Sequence, residues 1–317
     1  MKILVTGAAG FIASHLAERL VTHGHSVRGI DCLTDYYATS LKELNVQEIR
    51  RHGVQFLPLD LAEDDLSSAV RDVDIVYHLA AQPGISATTT FQTYARNNIT
   101  ATYRLLQAAA QSPTLQGFFN ISTSSVYGTY ATGDETSEPK PTSYYGVTKL
   151  AAEQLVLSYE RTLGLPSCSL RLFSVYGPRE RPEKLYSRLI QYILEDREFP
   201  LYEGSESHIR SYTFVGDIVD GLVASLQNLE LCIGEIFNIG TDTTITTGEG
   251  MKIVQDIIGK PAKIVLKPRR AGDQLHTRAN IDKARRILSY NPTTLPREGL
   301  KAQVEWYEQH ILGKVDF

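Results

Sequence analysis

Apolar residues gather along the first part of the chain in short, nearly unbroken runs at residues 2–6, 26–30, 54–59, 75–79 and 117–121. Runs of this length, bounded by glycine or polar residues, read as strands buried on both faces. Between them apolar positions recur every three to four residues, first up to about Thr22 and later over 93–110 and 145–161, which is the spacing of helices packed by one face. The resulting β-α-β-α alternation predicts an α/β fold built on a doubly wound parallel sheet.

Composition narrows the class of partner. The chain has 317 residues, ample for one large α/β unit or two packed domains, and a net charge of −4 with no basic stripe to follow a phosphodiester backbone. Nucleic acid is therefore not an expected partner. The N-terminal apolar run is short and broken by glycines, so it is neither a signal peptide nor a spanning segment, and a cytoplasmic protein without a membrane partner is expected. Cys32, Cys168 and Cys232 are scattered without metal-ligand or disulfide spacing, which predicts buried thiols in a reducing compartment and no metal.

Candidate chemistry sits where strands end. Gly7 and Gly10 follow the first strand, and Phe11, Ile12 and Ala13 begin a helix, giving G-x-x-G-x-x-A. Glycines there let the backbone approach a pyrophosphate at the positive end of the helix. Asp31 ends the second strand, where a carboxylate accepts ribose hydroxyls and repels a 2′-phosphate, favouring NAD over NADP. Asp60-Leu61 and Leu79-Ala80-Ala81 close the third and fourth strands, their small residues leaving room for a cofactor, and Asn97 and Asn98 lie on the 93–110 helix. After the fifth strand comes Ser122-Thr123-Ser124-Ser125, hydroxyls suited to holding a substrate oxygen. Tyr145 and Lys149, four apart, share one helix face. A fixed ammonium beside a phenol is expected to favour the phenolate, giving an acid/base near neutral pH.

Together Gly7-x-x-Gly10, Asp31, Asp60, His78-Leu79-Ala80-Ala81, Ser122-Thr123-Ser124 and Tyr145-x-x-x-Lys149 resemble the extended short-chain dehydrogenase/reductase family, specifically its nucleotide-sugar epimerases. The resemblance spans nearly the whole chain. It implies a tightly held NAD regenerated in each cycle, Tyr145 as acid/base, Lys149 on the nicotinamide ribose and the tyrosine, and Thr123 bonded to the sugar oxygen. It also implies a Rossmann domain over 1–173, rejoined by a helix and strand within 212–242, and a smaller mixed substrate domain from 174–211 and 243–317. Relatives commonly dimerise through two helices per subunit, here those around Asn98 and Tyr145, so a homodimer is expected.

Within that family the segment Leu170-Arg171-Leu172-Phe173-Ser174-Val175-Tyr176-Gly177-Pro178-Arg179-Glu180-Arg181-Pro182 resembles UDP-glucuronate 4-epimerases, as does Asp35-Tyr36-Tyr37 through Leu41-Lys42, which implies Lys42 near the cofactor. No acid stands in Thr123-Ser124-Ser125-Val126, which disfavours the dehydratase and decarboxylase branches that typically carry one there. Ser124, Ser125 and Ser174 are candidates to hold a substrate carboxylate, with Arg181 beside them, and the resemblance puts Arg188, Arg210, Arg270 and Asp273 on the UDP group. Guanidinium forks suit phosphate oxygens. Three departures, Ala13 for glycine, Ser86 for arginine and Ser211 for aspartate, leave the cofactor expectation intact and keep open a UDP-glucose or UDP-N-acetylglucosamine 4-epimerase. A non-catalytic NAD-binding sensor or scaffold is the alternative from another class.

Overall fold

A computed structural model describes residues 1–86, 88–269 and 276–315. Its main sheet has seven parallel strands: β1 (Lys2–Thr6), β2 (Ser26–Ile30), β3 (Gln55–Leu57), β4 (Ile75–His78), β5 (Gly117–Thr123), β6 (Ser167–Leu172) and β7 (Ile236–Ile239). Their spatial order is β3-β2-β1-β4-β5-β6-β7, so the winding reverses between β1 and β4. In open α/β sheets that reversal leaves a crevice beyond the carboxyl ends of the strands. The expected strands are all present, with the third and fourth shortened to Gln55–Leu57 and Ile75–His78 and the fifth extended to Thr123.

Helices cover both faces. One face packs the Phe11–Thr22 and Val215–Gln227 helices on Val5, Tyr77 and Phe119, where Tyr77 and Phe119 stack with centroids 4.7 Å apart. Tyr77 closes this layer by donating its hydroxyl to the Leu222 carbonyl at 2.7 Å. The opposite face buries Leu4, Val76 and Phe118 against Leu105, Leu106 and Val156. The expected 93–110 helix begins earlier, at Phe91–Tyr94, and continues through a π-helical turn, Ala95–Thr100, into Ala101–Ala109. Such turns are a recurrent feature near functional sites, and this one carries Asn97 and Asn98. The long Tyr144–Leu163 helix is capped by Ser143, whose Oγ accepts the Gly146 N–H at 3.1 Å.

The later chain returns to the sheet through Val215–Gln227 and β7, which pairs with β6 from Ile236↔Ser169 to Ile239↔Leu172. The rest forms a second cluster around Tyr186, Leu189, Val254 and Leu300, on the helices Leu185–Leu194, Thr247–Ile258 and Pro296–His310. The strand pair Val175–Tyr176 with Thr213–Phe214 ties it to the core, and Glu198–Tyr202 pairs with Lys263–Lys267 within the cluster itself. Among the described residues no helix is long and apolar enough to cross a membrane.

Candidate active site

The crevice predicted by the strand order is a cleft of about 490 Å³ that runs from the β1–β2 end across Thr123 to Ser174 and Arg210. At its first end Gly7 adopts φ +72°, and a Cβ there would stand 2.9 Å from the Ala80 backbone nitrogen. Glycine is thus required both by conformation and by the close approach of two strand ends. The turn is secured by Ala8 N–H donating to the Ile30 carbonyl and Gly10 N–H to Gly7, at 3.0 and 2.8 Å. Gly10 then caps the Phe11–Thr22 helix with no side chain over its end, leaving the helix N-terminus open to the cleft.

Asp31 is held by its backbone neighbours: Oδ1 accepts the Leu33 N–H at 2.8 Å and Oδ2 the Ala9 N–H at 3.2 Å. Burial pushes its carboxyl up from the ordinary value, opposed by the Leu33 N–H, the Lys42 charge and the Ala9 N–H. Lys42 is itself buried, donating to the Thr34 carbonyl at 2.6 Å and to its hydroxyl at 3.0 Å, with the Tyr37 ring centroid 4.6 Å away. Asp60, Leu61, Leu79, Ala80 and Ala81 line the same side. Asp60 Oδ2 accepts from Arg96 at 2.9 Å. Asn98 lies behind the lining: its Oδ1 accepts the Gln82 N–H at 2.7 Å and its amide donates to Thr148 Oγ1 at 2.9 Å, tying the Leu79–Gln82 strand end to the helix that bears Tyr145.

A glycine cradle beside a bare helix end, with a carboxylate fixed at the next strand, fits a dinucleotide. Gly7, Gly10, Phe11 and Ile12 would hold the pyrophosphate, and Asp31 the adenosine ribose.

The reacting end is built by close packing of the Tyr144–Leu163 helix on the turn after β5. Thr123 Oγ1 caps that turn by accepting the Ser125 N–H at 3.1 Å. A Cβ on Gly146 would stand 2.7 Å from the Ser125 carbonyl oxygen, so glycine allows the helix to press against the turn and carry Tyr145 to Thr123. Tyr145, Lys149, Thr123, Ser124 and Ser125 all line the cleft. Lys149 is almost wholly buried, and its ammonium pKa falls to about 8 through that burial, partly offset by Glu153. The sequence-based expectation of a phenol lowered by lysine is corrected here: burial raises the Tyr145 pKa, against which the Thr123 hydroxyl and then the Arg181 charge act. In the chain alone the phenol is therefore a proton holder, because removal from water outweighs the charges around it. His78, fully buried between Thr6 and Thr102, is forced neutral, its pKa falling to about 3 through that burial.

Ser174, Arg181 and Arg210 line the far end, while Arg188 lies outside the lining with its guanidinium 5.1 Å from the Tyr192 ring centroid. Arg270 and Asp273 fall outside the described residues. Glu180 and Lys184 also border the cleft, and the sequence singled out neither as a site residue. Glu180 reads as one charge within a Pro-Arg-Glu-Arg-Pro string, and its contacts with Ser187 and with Gln303 near the end of the chain reveal that it is buried.

Residues 3–240 match the NAD dependent epimerase/dehydratase family. The chain belongs to that family. A relative from Bacillus subtilis described as an uncharacterized UDP-glucose epimerase is 38% identical, covering 99% of this chain and 100% of that protein. UDP-glucuronate 4-epimerase 6 of Arabidopsis thaliana is 32% identical over 97% of this chain and 71% of its own length. Among solved structures, UDP-glucuronic acid 4-epimerase from Bacillus cereus, in complex with UDP-glucuronic acid and NAD, superposes with a TM-score of 0.93 at 39% identity, covering 98% of this chain and 99% of that one.

Proposed function

We propose that this protein is an NAD-dependent isomerase that inverts C4 of a UDP-sugar through a 4-keto intermediate, with UDP-glucuronate and UDP-galacturonate as the pair. The observation that carries the reading is the meeting, in one cleft, of the Thr123–Tyr145–Lys149 set with Ser124, Ser125, Ser174 and Arg181. Bound NAD supplies the hydride acceptor and donor for C4. The chain's own residues do the rest. Thr123 and Tyr145 bond the C4 oxygen, and Tyr145 takes its proton and later returns it. Lys149, cationic below pH about 8, supplies positive charge beside the phenol and the nicotinamide ribose. Ser124, Ser125 and Ser174 give neutral hydrogen bonds to the C6 carboxylate and fix its direction, which suppresses loss of carbon dioxide from the β-keto acid; Arg181 adds charge at that end. Lys42 lies at the cofactor's adenosine side, and Arg210, with Arg270 and Asp273, serves the UDP group. Segments 174–211 and 243–317 act as the sugar-nucleotide half against a cofactor half formed by the rest.

A homodimer in the cytoplasm completes the proposal. Phe91, Tyr103, Tyr144 and Val147 leave 42%, 42%, 59% and 43% of their surface exposed along the two helices in question, and Phe91 and Tyr144 touch edge to face at 5.4 Å. A second reading, a neutral UDP-hexose as substrate, is favoured by one feature: Ser86 stands where many uronate-acting relatives are expected to carry an arginine, which would relax carboxylate recognition.

The test is to incubate the purified protein, without added cofactor, with UDP-glucuronate and separately with UDP-glucose, following each by proton NMR. Galacturonate forming from the first alone supports the uronate reading and retained NAD. Galactose forming only in the second moves the substrate to a hexose, a pentose in the first means decarboxylation, and silence in both after NAD is added overturns the enzyme reading.

A further inference from the structure

Beyond β6 the chain turns a corner at Gly177-Pro178-Arg179-Glu180, closed by the Glu180 N–H donating to the Gly177 carbonyl at 3.1 Å. Arg179 sits there at φ 68°. With proline before it, a positive φ at this position makes the corner a type II turn, in which glycine or asparagine is usual. An arginine is strained there, and contacts outside the turn offset the strain. Two of them go to one face of the Phe11–Thr22 helix, on residues three apart. His15 Nε2 lies 2.9 Å from the Pro178 carbonyl, which only accepts, so Nε2 carries the hydrogen. Arg179 donates to Glu18 at 2.7 Å. His15, Glu18 and Arg179 all stand outside the lining of the cleft.

Arg181 follows the corner and enters the cleft. Its guanidinium lies 5.7 Å from the Tyr36 ring centroid, and a Cβ on Gly84 would stand 3.1 Å from its Nη2, so it also rests against bare backbone at Gly84. Tyr36 follows β2 and Gly84 follows β4, the strands on either side of β1, and both residues line the cleft with Arg181. One side chain therefore meets both walls, with the Gly7–Gly10 turn after β1 between them. Tyr94 steadies the Gly84 wall by donating its hydroxyl to the Gly84 carbonyl at 2.7 Å, and the Glu183 carboxylate lies 2.8 Å from Arg181 Nη1.

We propose that Arg181 is a strap across the cleft that retains the dinucleotide, and that His15 and Glu18 are positioning residues that pin the strap through the Pro178–Arg179 corner. NAD laid along the glycine turn leaves when the guanidinium parts from Tyr36 and Gly84. Retention suits the chemistry, since a hydride returns to the carbon it left only if the reduced cofactor stays beside the keto intermediate. The inference requires bound NAD and no particular sugar.

The experiment loads the protein with NAD labelled in the adenine ring, chases with excess unlabelled NAD and follows the label leaving. Arg181→Gln should speed release by about tenfold, the scale of a partly desolvated cation–π contact. His15→Phe alters no residue of the cleft and keeps an aromatic ring beside Phe11. It should speed release by about fivefold, the scale of one hydrogen bond, while His15→Gln, whose amide donates in place of Nε2, should stay within about twofold of wild type. Adding His15→Phe to Arg181→Gln should add less than about twofold, because the pin then holds nothing. Unchanged release in Arg181→Gln overturns the proposal. Factors that multiply in the double variant overturn it as well, since His15 then acts on the cofactor helix itself. Either failure leaves the epimerase reading standing, whereas a wild type that holds no labelled NAD overturns the cofactor reading too. Arg181→Gln decides the strap even if His15→Phe does not fold.

Discussion

Glu153→Gln is the substitution that should separate what supports the active lysine from what touches substrate. Glu153 lies one turn beyond Lys149 on the Tyr144–Leu163 helix, fully buried, and grips Arg171 of β6 through two contacts of 3.0 and 2.6 Å. Arg171, 1% exposed, also donates to the Tyr127 hydroxyl at 2.8 Å, and Ser169 donates to Glu153 at 3.2 Å. Glutamine preserves volume but leaves the guanidinium without a counter-charge. Removing one partner of a buried pair costs about 3–5 kcal/mol, about a fifth or more of a total that is commonly about 5–15 kcal/mol. The same change removes the one charge that raises the Lys149 pKa, which then falls below its present value of about 8. The sign follows from the unfolded value of 10.5: the folded chain releases this proton first, so the penalty of burying the ammonium is fully present below pH about 8 and is relieved as pH rises toward 10.5. Urea unfolding at pH 7 should therefore show the 3–5 kcal/mol loss, and the alkaline limb of the kcat profile should move to lower pH. A loss under about 1 kcal/mol with an unmoved alkaline limb would refute the argument.

Gly7→Ala forces a side chain into φ +72° and against the Ala80 backbone; it should cost roughly 1–3 kcal/mol and reduce the NAD that co-purifies, measured after heat release. Tyr145→Phe keeps the ring and should retain NAD while lowering kcat by at least about a hundredfold, read in the NMR assay; retained turnover would remove Tyr145 from the acid/base role. Ser174→Ala should raise KM for UDP-glucuronate by about fivefold to tenfold, equivalent to one hydrogen bond of about 1–1.5 kcal/mol, with little effect on UDP-glucose; equal effects on both would show that Ser174 does not read the carboxylate.

The cofactor half was legible because its determinants are local. Gly7, Gly10 and Asp31 are set by strand-turn-helix chemistry within a few residues, and the apolar runs located the strands to within about two positions. What sequence missed depends on contacts between distant segments. The π-helical turn at Ala95–Thr100 has no local composition that marks it. Glu180 and Lys149 acquire their perturbed acidities from burial by elements elsewhere in the chain, the helix Pro296–His310 in one case and β6 in the other. The Tyr145 phenol was misjudged for the same reason: spacing revealed a neighbouring charge and could not reveal how much water the fold excludes. Arg188, placed on the substrate by resemblance, instead lays its guanidinium over the Tyr192 ring one turn further along the same helix.

The most direct test of the central claim follows the hydrogen at C4. UDP-glucuronate deuterated at that carbon, turned over without added cofactor in ordinary water, should yield UDP-galacturonate that keeps the deuterium at C4, because the hydride leaves and returns within one closed cleft. Product carrying protium at C4 would contradict the account.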